Sequence, residues 1–224
     1  MTVDYNKSVP PGDPSRVIGF DVESHLIKRG CLAPRMVSGQ FANGTGAPIV
    51  ELRQPALARL RQLLQTGHVV TAHHAPFDFG VACAEDEGFL RLVFDGLDAA
   101  QIRCTMIRQM IIDNARGDLK FIEDEEGNLR AQDFSLAALT RRYFKRFLKK
   151  EGADSWRLRY RELDGVPVEQ WPVEAIDYAG KDAVEAREVF LEQDRIVAPE
   201  GIPGEVSQTQ AAWALNLLST WGVR

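Results

Sequence analysis

Cysteine is scarce in this chain: its 224 residues hold three, Cys31, Cys83 and Cys104, an odd number with no C-x-x-C spacing. A disulfide framework is thereby excluded, a zinc site has little to be built from, and a reducing compartment is expected. Long apolar runs are missing as well. None approaches the ~18–20 residues that a membrane-crossing helix requires, so no membrane is expected among the partners. The opening MTVDYNKSVPPGDPSR lacks the apolar stretch of a secretory signal, and its Pro-Pro-Gly-Asp-Pro cluster suits no regular element. Residues 1–15 are therefore expected to form a flexible tail. Positive charge is not in surplus either: 27 Lys and Arg face 32 Asp and Glu, for a net charge of −5. A chain of that sign does not bind nucleic acid indiscriminately. Any such partner must be held by a local basic patch or through metal ions.

What remains is an ordinary globular composition, 45% hydrophobic and 26% charged, enough for one good core. RVIGFDVES, PRMVSGQF and APIVELR read as strands, the last two joined by ANGTG. PALARLRQLLQTG is a helix with Pro55 near its first turn and Gly67 at its end. HVVTAHHA is a strand, and PFDFGVACAEDEGFLRLVF keeps helical apolar spacing throughout. QIRCTMIRQMIIDNARG reads as a short strand running into a helix, KFIEDEEGNLRAQ as a hairpin around Glu126-Gly127-Asn128, and FSLAALTRRYFKRFL as a helix capped by Ser135. VEAIDYAGKDAVEAREVFLEQDRIV and EVSQTQAAWALNLLSTWG are two further helices. This order predicts an α/β sandwich, a mixed β-sheet flanked by helices on both faces.

Acidic residues fall where acids are costly. The strand RVIGFDVES runs from apolar residues straight into Asp21 and Glu23, which project from the same face because strand side chains alternate. Two adjacent like charges oppose each other's ionisation, and a divalent cation between them removes that cost. A frayed, solvated strand end accounts for the pair equally well. Asp78, in AHHAPFDFGVA, falls in the first turn of a helix, where the macrodipole favours a carboxylate, whether for helix stability or for holding a cation. In DYAGKDA, Tyr178 and Asp182 are four residues apart and share a helix face. Asp177 is rotated off that face and is expected at the surface.

Taken together, these groups resemble the DEDD 3′–5′ exonucleases of the subgroup with tyrosine in the last motif. DVE (Asp21, Glu23) is similar to the first exonuclease motif, HHAPFD ending in Asp78 to the second, and YAGKD (Tyr178, Asp182) to the third. Order and spacing fit from about Arg16 to Val197. Within the subgroup the chain looks most like the proofreading domain of A-family, DNA polymerase I-type polymerases, especially phage-type ones. FSLAAL, SWRLRYRELDG and WPVEAIDYAGKDA resemble the segments leading to the third motif there. In one place the chain departs from the pattern: His74 stands where the second motif usually has Asn, four residues before its Asp.

The resemblance implies a ribonuclease H-like fold and a 3′–5′ exodeoxyribonuclease that releases nucleoside 5′-monophosphates in a bacterial or phage-infected cytoplasm. It implies two divalent cations, Mg²⁺ or Mn²⁺, on Asp21, Glu23, Asp78 and Asp182, hard oxygen ligands that suit such ions. Such a pair, about 3.5–4 Å apart, activates water and stabilises the leaving oxygen. By analogy Asp21 would bridge the ions, Glu23 and Asp182 would hold the first and Asp78 the second, while Tyr178 with Glu23 orients the hydroxide. The partner would be the single-stranded 3′ end of DNA. Ser24 and Ile27 would lie near the terminal nucleotide, and His74 beside it. Phe77 could stack on a base. RRYFKRFLKK, read as helix, would align Arg142, Lys145, Arg146 and Lys149 as a phosphate-gripping stripe. The acidic run Glu123–Glu126 is expected to face solvent. Residues 198–224 resemble the lead-in to a polymerase domain, so a polymerase domain or chain is a further candidate partner there. The terminal helix, with Trp213, Leu215, Leu217, Leu218 and Trp221, is apolar on most of its circumference and expects burial on more than one side. A ribonuclease D-type exoribonuclease shares all five motif residues. A catalytically silent module bracing a polymerase is the third reading.

Overall fold

In a computed structural model, residues 12–123, 126–147, 155–197 and 199–222 are described. Residues 1–11 of the expected tail, Asp124 and Glu125 of the acidic run, and Lys149 of the basic stripe lie outside them. Five strands, β1 (Val17–Ser24), β2 (Met36–Ala42), β3 (Ile49–Leu52), β4 (Val69–Ala72) and β5 (Ile102–Cys104), form one mixed sheet in the order β3-β2-β1-β4-β5. β2 pairs antiparallel with β1 and β3, while β4 pairs parallel with β1 and β5. Seven α-helices occur among the described residues: α1 (Arg53–Gln65), α2 (Ala75–Glu85), α3 (Phe89–Asp98), α4 (Thr105–Arg116), α5 (Leu136–Phe144), α6 (Val173–Ile196) and α7 (Glu205–Trp221). The protein is thus of the α/β class. No helix among the described residues is long and apolar enough to cross a membrane.

Alternation along β1 assigns its two faces. Phe20 points to one side, where its ring meets those of Phe41 and Phe79 at centroid distances of 5.2 and 5.5 Å. This side holds the main core, built with Leu57, Leu60, Leu64, Phe89 and Val93 of α1 and α3. Gly19, Asp21 and Glu23 point to the other side, under α6. An added carbon at Gly19 would lie 2.0 Å from the Ala183 carbonyl oxygen and 2.8 Å from Arg187 Cβ. The buried face of α6 is correspondingly a seam of small residues, Ala175, Ala179, Ala183 and Ala186. Strand and helix therefore approach more closely than any larger side chains allow.

Where the structure departs from expectation, side chains compete with the helix. The segment PFDFGVACAEDEGFLRLVF is two helices, because Asp86 turns extended (φ −146°) and its carboxylate accepts the Gly88 N–H at 2.9 Å. This local alternative to helix is open to Asp, and Gly follows it readily. The helix capped by Ser135, whose hydroxyl accepts the Ala138 N–H, stops at Phe144. Lys145 takes a left-handed conformation (φ 58°), so no helix carries the basic stripe across Arg142, Lys145 and Arg146. Residues 12–15, expected as the end of a flexible tail, are instead pinned. Pro14–Arg16 form a 3₁₀ turn, Arg187 donates to the Pro14 and Val17 carbonyls, and the Gly12 N–H donates to Asp194. The hairpin forms as expected, with β6 (Phe121–Glu123) pairing antiparallel with β7 (Leu129–Ala131).

α7 docks along one side only. Trp213 is buried against Phe94, Asn216 Nδ2 donates to the Pro76 carbonyl at 2.8 Å, and Leu215, Leu218 and Trp221 stay exposed. Its first residue, Glu205, is buried and grips Arg103 with both carboxylate oxygens at 2.6 and 2.7 Å. Arg108 lies beside this pair, with Nη2 2.5 Å from Asp194 Oδ1 and Nε 3.5 Å from Glu205 Oε2. Both guanidiniums face the Phe190 ring, 5.5 and 4.4 Å from its centroid. Such attraction offsets the cost of desolvation only while every partner is present.

Three substitutions test this architecture. Gly19→Ala is expected to cost about 1–3 kcal/mol by overpacking, read as a lowered midpoint in urea. Gly12→Ala, whose added carbon meets only ordinary contacts at 3.4 Å and beyond, should stay within about 0.5 kcal/mol. Glu205→Ala leaves buried arginines short of their anion and should cost about 3–5 kcal/mol in the same experiment.

Candidate active site

The first two acids owe their placement to strand register. Asp21 lies opposite Gln40, and Glu23 opposite Ser38. Cross-strand partners share a face, and Gln40 Nε2 donates to Ser38 Oγ at 2.7 Å, a buried polar floor beside the carboxylates. The register then shifts between Glu23 and Ser24, a bulge that ends the pairing. Beyond it the chain turns away, with Ser24 Oγ donating to the His25 carbonyl and the His25 N–H to the Arg35 carbonyl. A bulge that re-aims side chains is a recurrent device beside functional sites.

Asp78 arrives from the neighbouring strand and helix. β4 ends at Ala72, and α2 begins at Ala75 with Pro76 inside its first turn. That start buries Asp78, whose carboxylate accepts the backbone N–H of Val22, between Asp21 and Glu23 in the chain, as well as its own. Burial and the nearby Asp182 charge push its pKa well above the ordinary carboxylate range, against those two hydrogen bonds. α6 brings the last two residues. Tyr178 and Asp182 are one turn apart on its site-facing side, next to the buried Ala179 and Ala183 of the seam.

All five expected residues, Asp21, Glu23, Asp78, Tyr178 and Asp182, line one open cleft of about 630 Å³, together with Ser24, Ile27, His74 and Phe77. His74 stacks on Phe77 at a centroid distance of 6.3 Å; its side chain is exposed at the cleft, and partial desolvation there lowers its pKa. The Tyr178 phenol is pushed up to about 12, first by burial and then by the Asp182 and Glu23 charges. Ser155 hydrogen-bonds the same phenol. Among the described residues, no three His, Cys, Asp or Glu side chains are gathered closely enough to ligate one ion as they stand. The donor chemistry nevertheless fits hard divalent cations: four carboxylates face one cleft, and Asp78, the most deeply buried of them, is destabilised by a like charge that a cation would cancel.

The basic stripe does not join them. Arg142 is paired with Asp113 at 2.7 Å, Arg146 with Glu185 at 3.2 Å and with Glu188, and Lys145 Nζ donates to the Arg142 carbonyl. None of the three lines the cleft. The cysteines lie outside the chemistry. Burial raises the Cys83 and Cys104 thiols to about 12 and about 11, and Cys104 donates to the His73 carbonyl.

Several contributors were not singled out by residue in the sequence, although most lie within FSLAAL, SWRLRYRELDG and WPVEAIDYAGKDA. Tyr160 backs Tyr178, ring centroids 6.2 Å apart, with its hydroxyl donating to the Ala175 carbonyl at 2.7 Å. Trp156 and Trp171 hold Tyr160 in turn, at 6.2 and 6.0 Å. His25, Leu26, Leu136, Arg157 and Leu158 complete the rim, and His25 is fixed by Asp164 at 3.0 Å. No protein-family model matches this chain, and no curated protein shows significant similarity to it.

The raised pKa of Asp78 has a measurable consequence with a definite sign. Its folded-state pKa exceeds the unfolded value of about 3.9, so the fold favours the protonated form. Below about pH 4 that preference is fully expressed; as pH rises through the folded pKa, ionisation costs stability. Asp78→Asn, neutral throughout, should therefore melt above the native protein at about pH 7 in chelator. The gap should close below about pH 4, as followed by thermal scans across pH.

Proposed function

We propose that this chain is a metal-dependent 3′–5′ exodeoxyribonuclease of the DEDD tyrosine subgroup, built on a ribonuclease H-like sheet. One observation carries the reading: four carboxylates and a tyrosine from three separate elements, β1, α2 and α6, line a single cleft. The strand order β3-β2-β1-β4-β5, antiparallel on one side of β1 and parallel on the other, supports the fold assignment.

Asp21, Glu23, Asp78 and Asp182 would hold two divalent cations, which when bound supply charge neutralisation and an activated water. Tyr178, protonated at neutral pH with its pKa near 12, orients that water through its hydroxyl and does not serve as the base. Ser155 and the Tyr160 ring keep the phenol in place. His74, exposed at the cleft with its pKa lowered by partial desolvation, offers the substrate a hydrogen-bonding group, the role Asn has in the related motif. Ile27, exposed at the rim, and Phe77, half-buried, give the terminal base an apolar contact. The water oxygen bonds to phosphorus and gives up a proton to bulk solvent, the P–O3′ bond breaks, and the departing 3′ oxygen takes up a proton from solvent. The released nucleotide keeps its phosphate at the 5′ position.

Incubation of a 5′-labelled single-stranded DNA with Mg²⁺ or Mn²⁺ is expected to give a ladder shortening from the 3′ end, abolished by chelator. Asp21→Ala should lower the rate at least ~100-fold, since metal stabilisation of a phosphoryl transition state is worth several kcal/mol. A matched RNA strand decides the sugar: faster cleavage of RNA would make the enzyme an exoribonuclease. Binding of DNA without cleavage by either metal would leave the silent module.

A further inference from the structure

A nucleic-acid strand brings one negative charge per nucleotide to a cleft already walled by four carboxylates. Divalent cations can offset charge at the reacting phosphate, but the phosphates leading to it need cations of the protein's own. Arg142 and Arg146 do not serve, being held in ion pairs away from the cleft. Among the described residues that line the cleft, a single one is Arg or Lys: Arg157. It stands exposed in the 3₁₀ turn Trp156–Leu158. Its side chain has no hydrogen-bond or ion-pair partner among the described residues, whereas the nearby Arg159 is engaged by Glu162 at 2.9 Å and lies over the Trp156 ring at 4.5 Å.

The turn that bears Arg157 is fixed to the catalytic constellation on both sides. Ser155, before it, hydrogen-bonds the Tyr178 phenol. Trp156 packs on Tyr160, which packs on Tyr178. The guanidinium thus sits on a rigid support beside the water-orienting tyrosine, with its donors open to the mouth of the cleft. A guanidinium presents a planar fork of N–H groups that matches two phosphate oxygens at once, which a lysine ammonium cannot.

We propose that Arg157 grips a backbone phosphate of the single strand as its 3′ end enters the cleft, making it the substrate-positioning cation of this site. This rests on the nuclease reading above. Arg157→Ala and Arg157→Lys would be compared with the native protein, after equal melting temperatures confirm that the exposed substitutions leave the fold intact. Binding would be measured by fluorescence anisotropy of a short fluorescein-labelled DNA strand with phosphorothioate linkages, in Mg²⁺, over a series of salt concentrations. Cleavage kinetics of the unmodified strand would run in parallel.

Arg157→Ala is expected to weaken binding about ten-fold, the scale of a charged hydrogen bond. It should also make the slope of log affinity against log salt shallower by about 0.7, one phosphate contact on a single strand. KM should rise with kcat nearly unchanged. Arg157→Lys should restore the slope and only part of the affinity. Unchanged affinity and slope in Arg157→Ala would overturn the proposal. So would a fall in kcat at constant slope, which would make Arg157 a support for Tyr178. If the native protein binds the strand without cutting it, the nuclease reading fails, while the binding slope still judges Arg157. If it does not bind at all, both fail.

Discussion

The contact on which the rest of the molecule depends is the one between Gly19 and Ala183. The central strand passes beneath the long helix so closely that the Ala183 carbonyl oxygen occupies the space where a side chain at position 19 would begin. Two residues beyond Gly19 comes Asp21; one residue before Ala183 stands Asp182. The packing that closes one layer of the sandwich is therefore the same packing that faces carboxylates from two elements across a cleft. Gly180 repeats the arrangement a turn away, where an added carbon would lie 2.3 Å from Pro48 Cγ. Small residues are required because a site assembled from backbones held this near each other tolerates little error in placement.

Such an assembly carries a cost. Burying Asp78 beside Asp182 raises the free energy of the ionised state, and neither the Val22 N–H nor the helix start repays it in full. The fold compensates elsewhere, through the phenylalanine-rich core on the opposite face of the sheet and through the aromatic stack behind Tyr178. Local expense tolerated for the sake of chemistry is a common mark of functional sites.

Much of this was legible in the residues. The order of strands and helices, the hairpin and the Ser135 cap follow from local periodicity and turn signals, which tertiary contacts reinforce here, whereas the gathering of Asp21, Glu23, Asp78, Tyr178 and Asp182 was implied only by the resemblance of three motifs to the exonucleases. What could not be read were competitions decided in three dimensions. Helical spacing across Glu85-Asp86-Glu87 is interrupted because the Asp86 side chain captures a backbone N–H, an alternative that apolar periodicity does not register. The run RRYFKRFLKK suggests a phosphate grip because sequence counts charge and cannot see the acids that claim it: Asp113 for Arg142, Glu185 and Glu188 for Arg146. Arg157 was invisible for the converse reason. One arginine among several in SWRLRYREL, it is set apart only by its place at the cleft.

The buried charges beneath α7 give that helix an unusual direction of fraying. Helix ends ordinarily open first, since their terminal groups lack partners. Here the first turn is tied by Glu205 to two buried arginines, and the Glu205 carbonyl also accepts the Thr209 hydroxyl. The far end holds Leu215, Leu218 and Trp221 out in solvent. Amide exchange along α7 should accordingly run as a one-sided gradient, slow near Glu205 where opening must strip ion pairs inside the body, and fast toward Trp221. The helix is rooted in the sheet edge through Arg103 of β5 and unzips from its tip inward, so its inner turns share the cooperativity of the core while its outer turns behave as surface.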